Sequence, residues 1–281
     1  MKVYFETLGC PKNFYDTETA KGILEDNNCD ITDDPKKADY IVVNTCGFIE
    51  DAKKESIDAI FDMNRYGKKV IVTGCLSQRY GDELFKEIPE VHAFLGVNDY
   101  DRLPELISDD NERKLINNPC EETRLPLMKR KRNGARHTAS IKIAEGCNNR
   151  CTYCIIPEIR GPYRSKRIED VIAEAKRLAQ DGCKELILIA QDTTYYGYDL
   201  YGKYMLSELL RELVKIDGIC WIRIMYAYED RITDELIKTI RDEDKICNYL
   251  DIPLQHISDT VLKRMARRST GKSIRKTIET L

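Results

Sequence analysis

The sequence predicts an α/β protein in which an N-terminal doubly wound parallel α/β domain is followed by an incomplete βα barrel. Short β-branched segments with little polar alternation are typical of strands buried on both faces of a parallel sheet. Three such segments lie in the N-terminal part: Lys2–Leu8, Tyr40–Asn44 and Lys69–Thr73. A helical pattern follows each of them, over residues 17–25, 49–63 and 77–87. This regular alternation predicts a doubly wound domain over residues 1–107.

A second series of strands and helices begins at Ser140. Four predicted strands follow residue 139: Ser140–Ala144, Leu186–Ala190, Cys220–Met225 and Tyr249–Ile252. Each strand leads into a loop and then a helix, and βα barrels place their chemistry on these loops, at the carboxyl ends of the strands. Because a full barrel has eight strands in roughly 250 residues, residues 140–281 predict only part of one.

The segment between the two predicted domains, residues 108–139, lacks either pattern and is predicted to be a linker. Residues 128–136 contain five basic side chains and no acidic one. A run of this kind is usually a solvated linker, which is the interpretation we prefer. A phosphate-contacting patch near RNA is the alternative.

Composition restricts the class of protein. The 281 residues carry a formal net charge of −3, which gives no general attraction to nucleic acid or to an anionic membrane. No apolar run approaches the roughly 20 residues of a membrane-spanning helix, and the N-terminus has the pattern of a strand and not of a signal peptide. Eleven cysteines without a secretory signal favour the reducing cytoplasm, where cysteines more often bind metal or react.

The most informative stretch is a loop with three cysteines, Cys147, Cys151 and Cys154, at the spacing C-x3-C-x2-C. We call these residues the loop triad. A four-iron cubane cluster usually has four cysteine ligands. Three cysteines with no fourth cysteine or histidine close by would leave one iron open to an exogenous ligand. The alternatives are structural zinc, which requires four closed ligands, and unliganded thiols, which would be prone to oxidation.

Three more cysteines, Cys10, Cys46 and Cys75, each follow the end of a predicted N-terminal strand and have a glycine neighbour. We call them the N-terminal triad. Open parallel sheets bind ligands at the carboxyl ends of their strands, so the three thiols should meet at one edge. A second metal centre is therefore predicted. The alternative is that each is a small buried hydrophobic residue, which is also our interpretation of the five remaining cysteines: Cys29, Cys120, Cys183, Cys220 and Cys247.

The loop triad, with Tyr153 directly before its last cysteine, resembles the signature of radical S-adenosylmethionine enzymes. This resemblance implies that the open iron binds the amino and carboxylate groups of S-adenosylmethionine. It also implies that Tyr153 lies beside the adenine and that reductive cleavage of the sulfonium gives a carbon radical. Gln191 and Asp192 follow the second barrel strand, where such enzymes hold the cofactor's amino group, and Gln255 is a further candidate on the same face.

With both triads, the whole chain resembles the methylthiotransferases within that superfamily. The resembling pieces are Leu8–Asn13, Cys154–Pro157, Gln191–Gly197 and Asp251–His256. The residues of these motifs more closely resemble the RimO-type branch, which modifies an aspartate of small-subunit ribosomal protein S-twelve. The MiaB-like branch, which modifies a tRNA adenosine, usually has Gln-Met in place of Pro11-Lys12 and Val-Val in place of Ile155-Ile156.

The resemblance implies two [4Fe-4S] clusters, S-adenosylmethionine as cofactor and a reductant protein such as flavodoxin or ferredoxin. It gives no separate catalytic side chain. Ser165-Lys-Arg167 departs from the usual Ser-Arg-Pro, and the family's C-terminal TRAM domain is absent from these residues, so we expect a chain that ends before the barrel is complete. Two other functions remain open: tRNA methylthiolation, and an iron–sulfur electron carrier without a reaction of its own. The Gln191–Gly197 loop and the large scaffold argue against the carrier.

Overall fold

The structure is a computed structural model, and it describes residues 1–108, 113–120, 130–132, 134 and 136–281. These residues divide into two compact units. The first unit contains the described residues up to 120, residues 130–132 and Glu158–Gly161. The second unit contains the other described residues.

The first unit is built on a parallel sheet of six strands. The strands are β1 (Lys2–Thr7), β2 (Asp30–Ile31), β3 (Tyr40–Thr45), β4 (Lys69–Gly74), β5 (Ala93–Leu95) and β6 (Lys114–Leu115). They lie in the order β2-β1-β3-β4-β5-β6, and all five pairings are parallel. The strand order reverses between β1 and β3, which is the switch point at which doubly wound sheets bind ligands.

Both faces of this sheet are covered. The helices of the first unit are α1 (Pro11–Asp26), α2 (Glu50–Asn64), α3 (Cys75–Glu87) and α4 (Leu103–Ser108). All six residues of β3 are buried. Tyr40 and Val42 belong to one apolar cluster and Ile41 and Val43 to the other, as alternation along a strand requires. The predicted α/β class is confirmed.

Two helices begin earlier than the sequence pattern predicts. The start predicted at Thr17 is wrong, because α1 begins at Pro11, where the fixed φ of proline suits the first helical residue. Helix α3 begins at Cys75 and not at Ser77. As a consequence, two cysteines of the N-terminal triad lie at helix N-termini.

The second unit contains a parallel sheet and a small antiparallel pair. The strands are β7 (Thr138–Lys142), β8 (Ala144–Glu145), β9 (Arg164–Ser165), β10 (Glu185–Ile189), β11 (Trp221–Ile224) and β12 (Ile246–Leu250). Four of them form a parallel sheet in the order β12-β11-β10-β7, and β8 pairs with β9. These four are the strands that the sequence predicts, with β12 starting before Tyr249.

Helices follow the strands of the second unit, as in a βα barrel. They are α5 (Ile156–Arg160), whose residues from Glu158 onward group with the first unit, α6 (Ile168–Gln180), α7 (Tyr198–Tyr201), α8 (Leu206–Leu213), α9 (Asp234–Asp242), α10 (Asp259–Arg264) and α11 (Gly271–Thr280). Val171, Ala175 and Leu178 of α6 share one buried cluster with Leu186 and Leu188 of β10. This packing aligns the strands so that their carboxyl ends lie at one edge.

Part of the predicted linker is ordered. Strand β6 and the short segment 130–132 belong to the first unit, where Arg130 pairs with Glu18 at 2.8 Å and Lys131 pairs with Glu25. The remainder of the basic stretch, residues 128, 129, 133 and 135, lies outside the described residues. Within the part of the chain that the structure describes, every helix is too short or too polar to cross a membrane.

Candidate functional site

The N-terminal triad lies at the carboxyl edge of the first sheet. Cys10 directly precedes α1, Cys46 directly follows β3, and Cys75 is the first residue of α3. A helix N-terminus carries a partial positive charge that favours a thiolate or another anion. Cys10 and Cys75 therefore lie where helix N-termini stabilise negative charge on a bound group.

Glycines allow the three cysteine loops to approach each other. Gly9 has a φ of +92°, and a Cβ added there would lie 2.9 Å from Cys46 Cβ. Gly74 has a φ of +94°, and its Cβ would lie 2.3 Å from the carbonyl oxygen of Thr45. Other residues would therefore be strained in φ and would also separate the loops. At Gly47, beside Cys46, an added Cβ would lie 2.7 Å from Leu76 Cα. The glycine beside each cysteine is therefore explained by close backbone approach.

Two polar side chains fix the loops, and neither was singled out from the sequence. The Asn13 side-chain amide donates to the carbonyl oxygens of Leu8, at 2.9 Å, and Thr45, at 3.0 Å, so it ties the loop after β1 to that after β3. The Ser56 hydroxyl accepts from Cys46 N and donates to Cys46 O, both at 2.9 Å. Asn13 lies in the first turn of α1, where the sequence signal for a helix start was missed.

A buried arginine reaches Cys75. Arg160 is 1% exposed and donates to Asp16 Oδ2 at 2.7 Å, Asn13 Oδ1 at 2.9 Å and Cys75 Sγ at 3.3 Å. Burial raises the pKa of the Cys75 thiol, and the charge and hydrogen bond of Arg160 act in the opposite direction. Arg160 was not predicted from the sequence, because it lies far from Cys75 along the chain.

The loop triad lies on the second unit, after the paired strand β8. Cys154 N donates to Cys151 O at 3.0 Å, which closes a tight turn, and Asn149 N donates to Cys147 Sγ at 3.4 Å. Burial raises the pKa of Cys147 to about 11 and also raises that of Cys154. Thiols of this kind stay protonated at neutral pH until a metal replaces the proton.

A network of buried polar groups anchors this loop to the loops that follow β10 and β11. Asp192 is 1% exposed, and its Oδ2 accepts from Arg231 at 2.6 Å and from Asn149 at 3.0 Å. Arg231 also donates to Asn149 Oδ1 at 2.9 Å. Asp192, a predicted contact of the cofactor's amino group, here binds the arginine and the cysteine loop. Arg231 and Asn149 were not predicted.

The side-chain oxygen of Gln191 accepts no hydrogen bond from any of the described residues. Its amide nitrogen donates to Glu145 Oε1 at 2.5 Å, and Glu145 Oε2 accepts from Lys142 at 2.6 Å. Gln191 Oε1 is buried without a hydrogen-bond partner. An unsatisfied buried polar atom costs about 1–3 kcal/mol. A ligand with an N–H donor, such as an ammonium group, would remove this cost.

The other predicted cofactor contacts are accessible. Tyr153 is 48% exposed. Gln255 is exposed and has a φ of +67°, and Tyr226, in the loop after β11, has a φ of +59°. Left-handed backbone at residues other than glycine is uncommon and tends to cluster at functional sites. Both residues follow strands of the second sheet, at the same edge as Gln191.

Arg267 connects two of the loops at this edge. Its guanidinium lies 3.9 Å from the ring centre of Tyr228 and donates to Glu229 Oε2 at 2.5 Å and Pro253 O at 3.0 Å. Tyr228 OH in turn lies 3.6 Å from Cys151 Sγ. Arg267 was not predicted from the sequence. It positions Tyr228 against the loop triad.

The chemistry of the two triads fits an iron–sulfur cluster better than a single ion. Structural zinc requires four closed ligands, whereas each triad offers three sulfur atoms. Three soft sulfur ligands in each place suit such a cluster.

Comparison with known families agrees with this class of site. The family model described as the Radical SAM superfamily matches residues 141–281, and the uncharacterized protein family UPF0004 matches residues 2–96. The chain therefore belongs to the radical SAM superfamily, as predicted.

Individual relatives narrow the comparison. The chain is 54% identical to ribosomal protein uS12 methylthiotransferase RimO of Clostridium novyi over 280 residues, which are 97% of this chain and 63% of that protein. It is 48% identical over 293 residues to the protein of the same name from Acetivibrio thermocellus, with coverages of 100% and 65%. The predicted resemblance to the RimO-type branch is confirmed. The chain spans about 63–65% of the length of these relatives.

One solved structure shares the fold. The radical S-adenosylmethionine methyltransferase TsrM from Kitasatospora setae superposes with a TM-score of 0.69 at 14% identity, over 99% of this chain and 65% of TsrM. At this identity the likeness concerns the fold alone.

Proposed function

We propose that this protein adds a methylthio group to the β-carbon of an aspartate in ribosomal protein uS12 by radical S-adenosylmethionine chemistry. The observation that supports it most is the presence of two cysteine triads, each at the carboxyl edge of a parallel sheet. They occur in a chain that is 54% identical to a uS12 methylthiotransferase over almost all its length. A methylthio transfer needs both a site that makes a radical and a site that holds sulfur.

The two triads would divide these tasks. Residues 1–107 would hold an auxiliary [4Fe-4S] cluster through the N-terminal triad, and residues 140–281 would hold the radical cluster through the loop triad. When bound, the clusters and S-adenosylmethionine supply a carbon radical able to break an unactivated C–H bond and an open iron that holds sulfur. Residues 108–139 would connect the two parts.

The described side chains would bind and orient the cofactor. Gln191 Oε1, which has no hydrogen-bond partner among the described residues, would accept a hydrogen bond from its ammonium group, and Glu145, paired with Lys142, would hold the Gln191 amide in place. Arg231 neutralises Asp192 and thereby holds the cysteine loop in place. Tyr153 and Gln255 are exposed at the same edge and would contact the adenosine part.

The partners follow from this reaction. The protein substrate would be uS12, and a reductant protein such as flavodoxin or ferredoxin would deliver the electron. Direct binding of nucleic acid is not needed. All eleven cysteines are free thiols, which is consistent with the reducing cytoplasm, where ribosomes are modified.

The test is product formation under anaerobic conditions. We would incubate the reconstituted full-length protein with S-adenosylmethionine, reductant and either uS12 or tRNA, and measure both products by mass spectrometry. We expect one methylthio group on an aspartate of uS12 and none on tRNA, and no product with the Cys151→Ala variant. Modified tRNA would overturn the choice of substrate. Intact clusters with no cleavage of S-adenosylmethionine would favour an electron carrier.

A further inference from the structure

Arg160 is a charged residue that the proposed reaction does not use. It is the last residue of α5, yet it groups with the first unit and is 1% exposed. Burying a guanidinium is costly unless acceptors surround it. Its acceptors include Asp16, Asn13 and Cys75. An ion pair with Asp16 alone would not require the contacts with Asn13 and Cys75.

The contact with sulfur is specific. One nitrogen, Nη1, donates to Asp16 Oδ2 at 2.7 Å, while the other, Nη2, donates to Asn13 Oδ1 at 2.9 Å and to Cys75 Sγ at 3.3 Å. Cys75 is 6% exposed, so water cannot replace this donor. The acid and the sulfur therefore bind opposite nitrogens of one buried cation.

Such a donor changes the energy of an electron on the cluster. The potential of an iron–sulfur cluster depends on net charge, on hydrogen bonds to the ligand sulfurs and on solvent exposure. Reduction adds negative charge, which a charged donor at a ligand sulfur stabilises. Asp16 adds a negative charge to the same group and opposes this effect.

We propose that Arg160 is a positioning residue that raises the reduction potential of the cluster held by the N-terminal triad, and that Asp16 limits this increase. The proposal rests on the proposed function, because it requires a cluster at this triad. It assigns opposite roles to two residues that bind each other.

The experiment isolates this cluster. In protein whose loop triad is changed to alanine, anaerobic reconstitution followed by iron and sulfide counts measures cluster content. A redox titration followed by electron paramagnetic resonance measures the midpoint potential. The variants are Arg160→Gln, Arg160→Lys and Asp16→Asn. The matched control is Arg130→Gln, since Arg130 is also a buried arginine of the first unit and pairs with Glu18 at 2.8 Å.

We expect Arg160→Gln to lower the potential and Asp16→Asn to raise it, with Arg160→Lys between Arg160→Gln and the unsubstituted protein. Each substitution should change the ratio of oxidised to reduced cluster at least tenfold at a fixed applied potential. A tenfold change corresponds to a shift of 59 mV in the midpoint potential of a one-electron couple. Arg130→Gln should leave the potential in place. If the substitutions only loosened the site, the reduction potentials of Arg160→Gln and Asp16→Asn would shift in the same direction.

The outcomes separate the two proposals. Shifts in the same direction, or no shift in Arg160→Gln with full iron content, would overturn the role of Arg160. If Arg160→Gln does not retain iron, the test rests on Asp16→Asn. An unchanged reduction potential in Asp16→Asn would then overturn the proposed role of Arg160. Absence of iron from the parent protein with an intact N-terminal triad would instead overturn the auxiliary cluster of the proposed function.

Discussion

Substitution of Arg231 by leucine should destabilise the second unit strongly. Arg231 is 5% exposed and Asp192 is 1% exposed, and their side chains meet at 2.6 Å. Removing one partner of a buried ion pair costs about 3–5 kcal/mol, because the other charge stays buried. Asp192 would still accept from Asn149 at 3.0 Å and from Thr194 at 2.7 Å, so we expect a loss of about 3 kcal/mol, at the lower end.

The assay is urea unfolding followed by circular dichroism, from which the free energy of unfolding is obtained. The single tryptophan, Trp221 on β11, is already 58% exposed, so its fluorescence would change little. The matched control is Arg241→Leu, because Arg241 pairs with Asp242 at 2.7 Å on the surface, with side chains 69% and 43% exposed. An exposed pair contributes about 0–1 kcal/mol.

A second comparison tests the cause. Combining Arg231→Leu with Asp192→Asn removes the arginine and its more buried acidic partner, and we expect part of the lost stability to return, because the remaining partner Asp230, 3.5 Å from Arg231, is 19% exposed. A loss for Arg231→Leu no greater than that for Arg241→Leu would refute the reasoning. So would a double variant that is less stable than Arg231→Leu, since the buried carboxylate could not then be the cause.

Three further predictions concern the clusters and the remaining cysteines. Reconstituted protein should hold about eight irons, and alanine at all of the N-terminal triad should halve the content; a count near four in the parent protein would contradict two clusters. Gln191→Leu should weaken binding of S-adenosylmethionine about tenfold, equal to about 1.4 kcal/mol, in equilibrium dialysis with full iron content; unchanged affinity would exclude the acceptor role. Cys183→Ala should lower the free energy of unfolding by about 1–2 kcal/mol because Cys183 is fully buried. Cys220→Ala should change it by less than about 0.5 kcal/mol because Cys220 is exposed. Iron content should be unchanged in both variants, and a loss of iron would reveal a missed ligand.

The positions of the cysteine triads followed from local sequence. Strands such as Lys69–Gly74 have a short β-branched centre, Val70–Val72, and a parallel sheet brings the carboxyl ends of its strands to one edge, so the position of Cys75 directly after its strand predicted its location. The buried packing role predicted for Cys120 and Cys220 is wrong, because both residues are exposed. Strands β2, β5 and β6 were too short for a pattern of alternation to predict them.

Partners across the chain could not be predicted in this way. Arg160 and Cys75 are 85 residues apart, and Arg231 and Asp192 are 39 apart. A single arginine in the sequence carries no signal for its acceptor, because burial and contact depend on how the whole unit packs. The same holds for Arg267, whose partner Glu229 is 38 residues away.

The two units use the same physical means to hold their cysteine loops. In each, a buried arginine joins a buried acid to a cysteine loop: Arg160 binds Asp16 and Cys75, and Arg231 binds Asp192 and Asn149. Apolar burial fixes the strands but has no direction, whereas a charged hydrogen bond fixes a loop in distance and angle. Because removal of one partner costs more than removal of both, such an arginine and its acid should be replaced together or not at all. The loops that carry the sulfur ligands are therefore held by pairs of residues and not by single side chains.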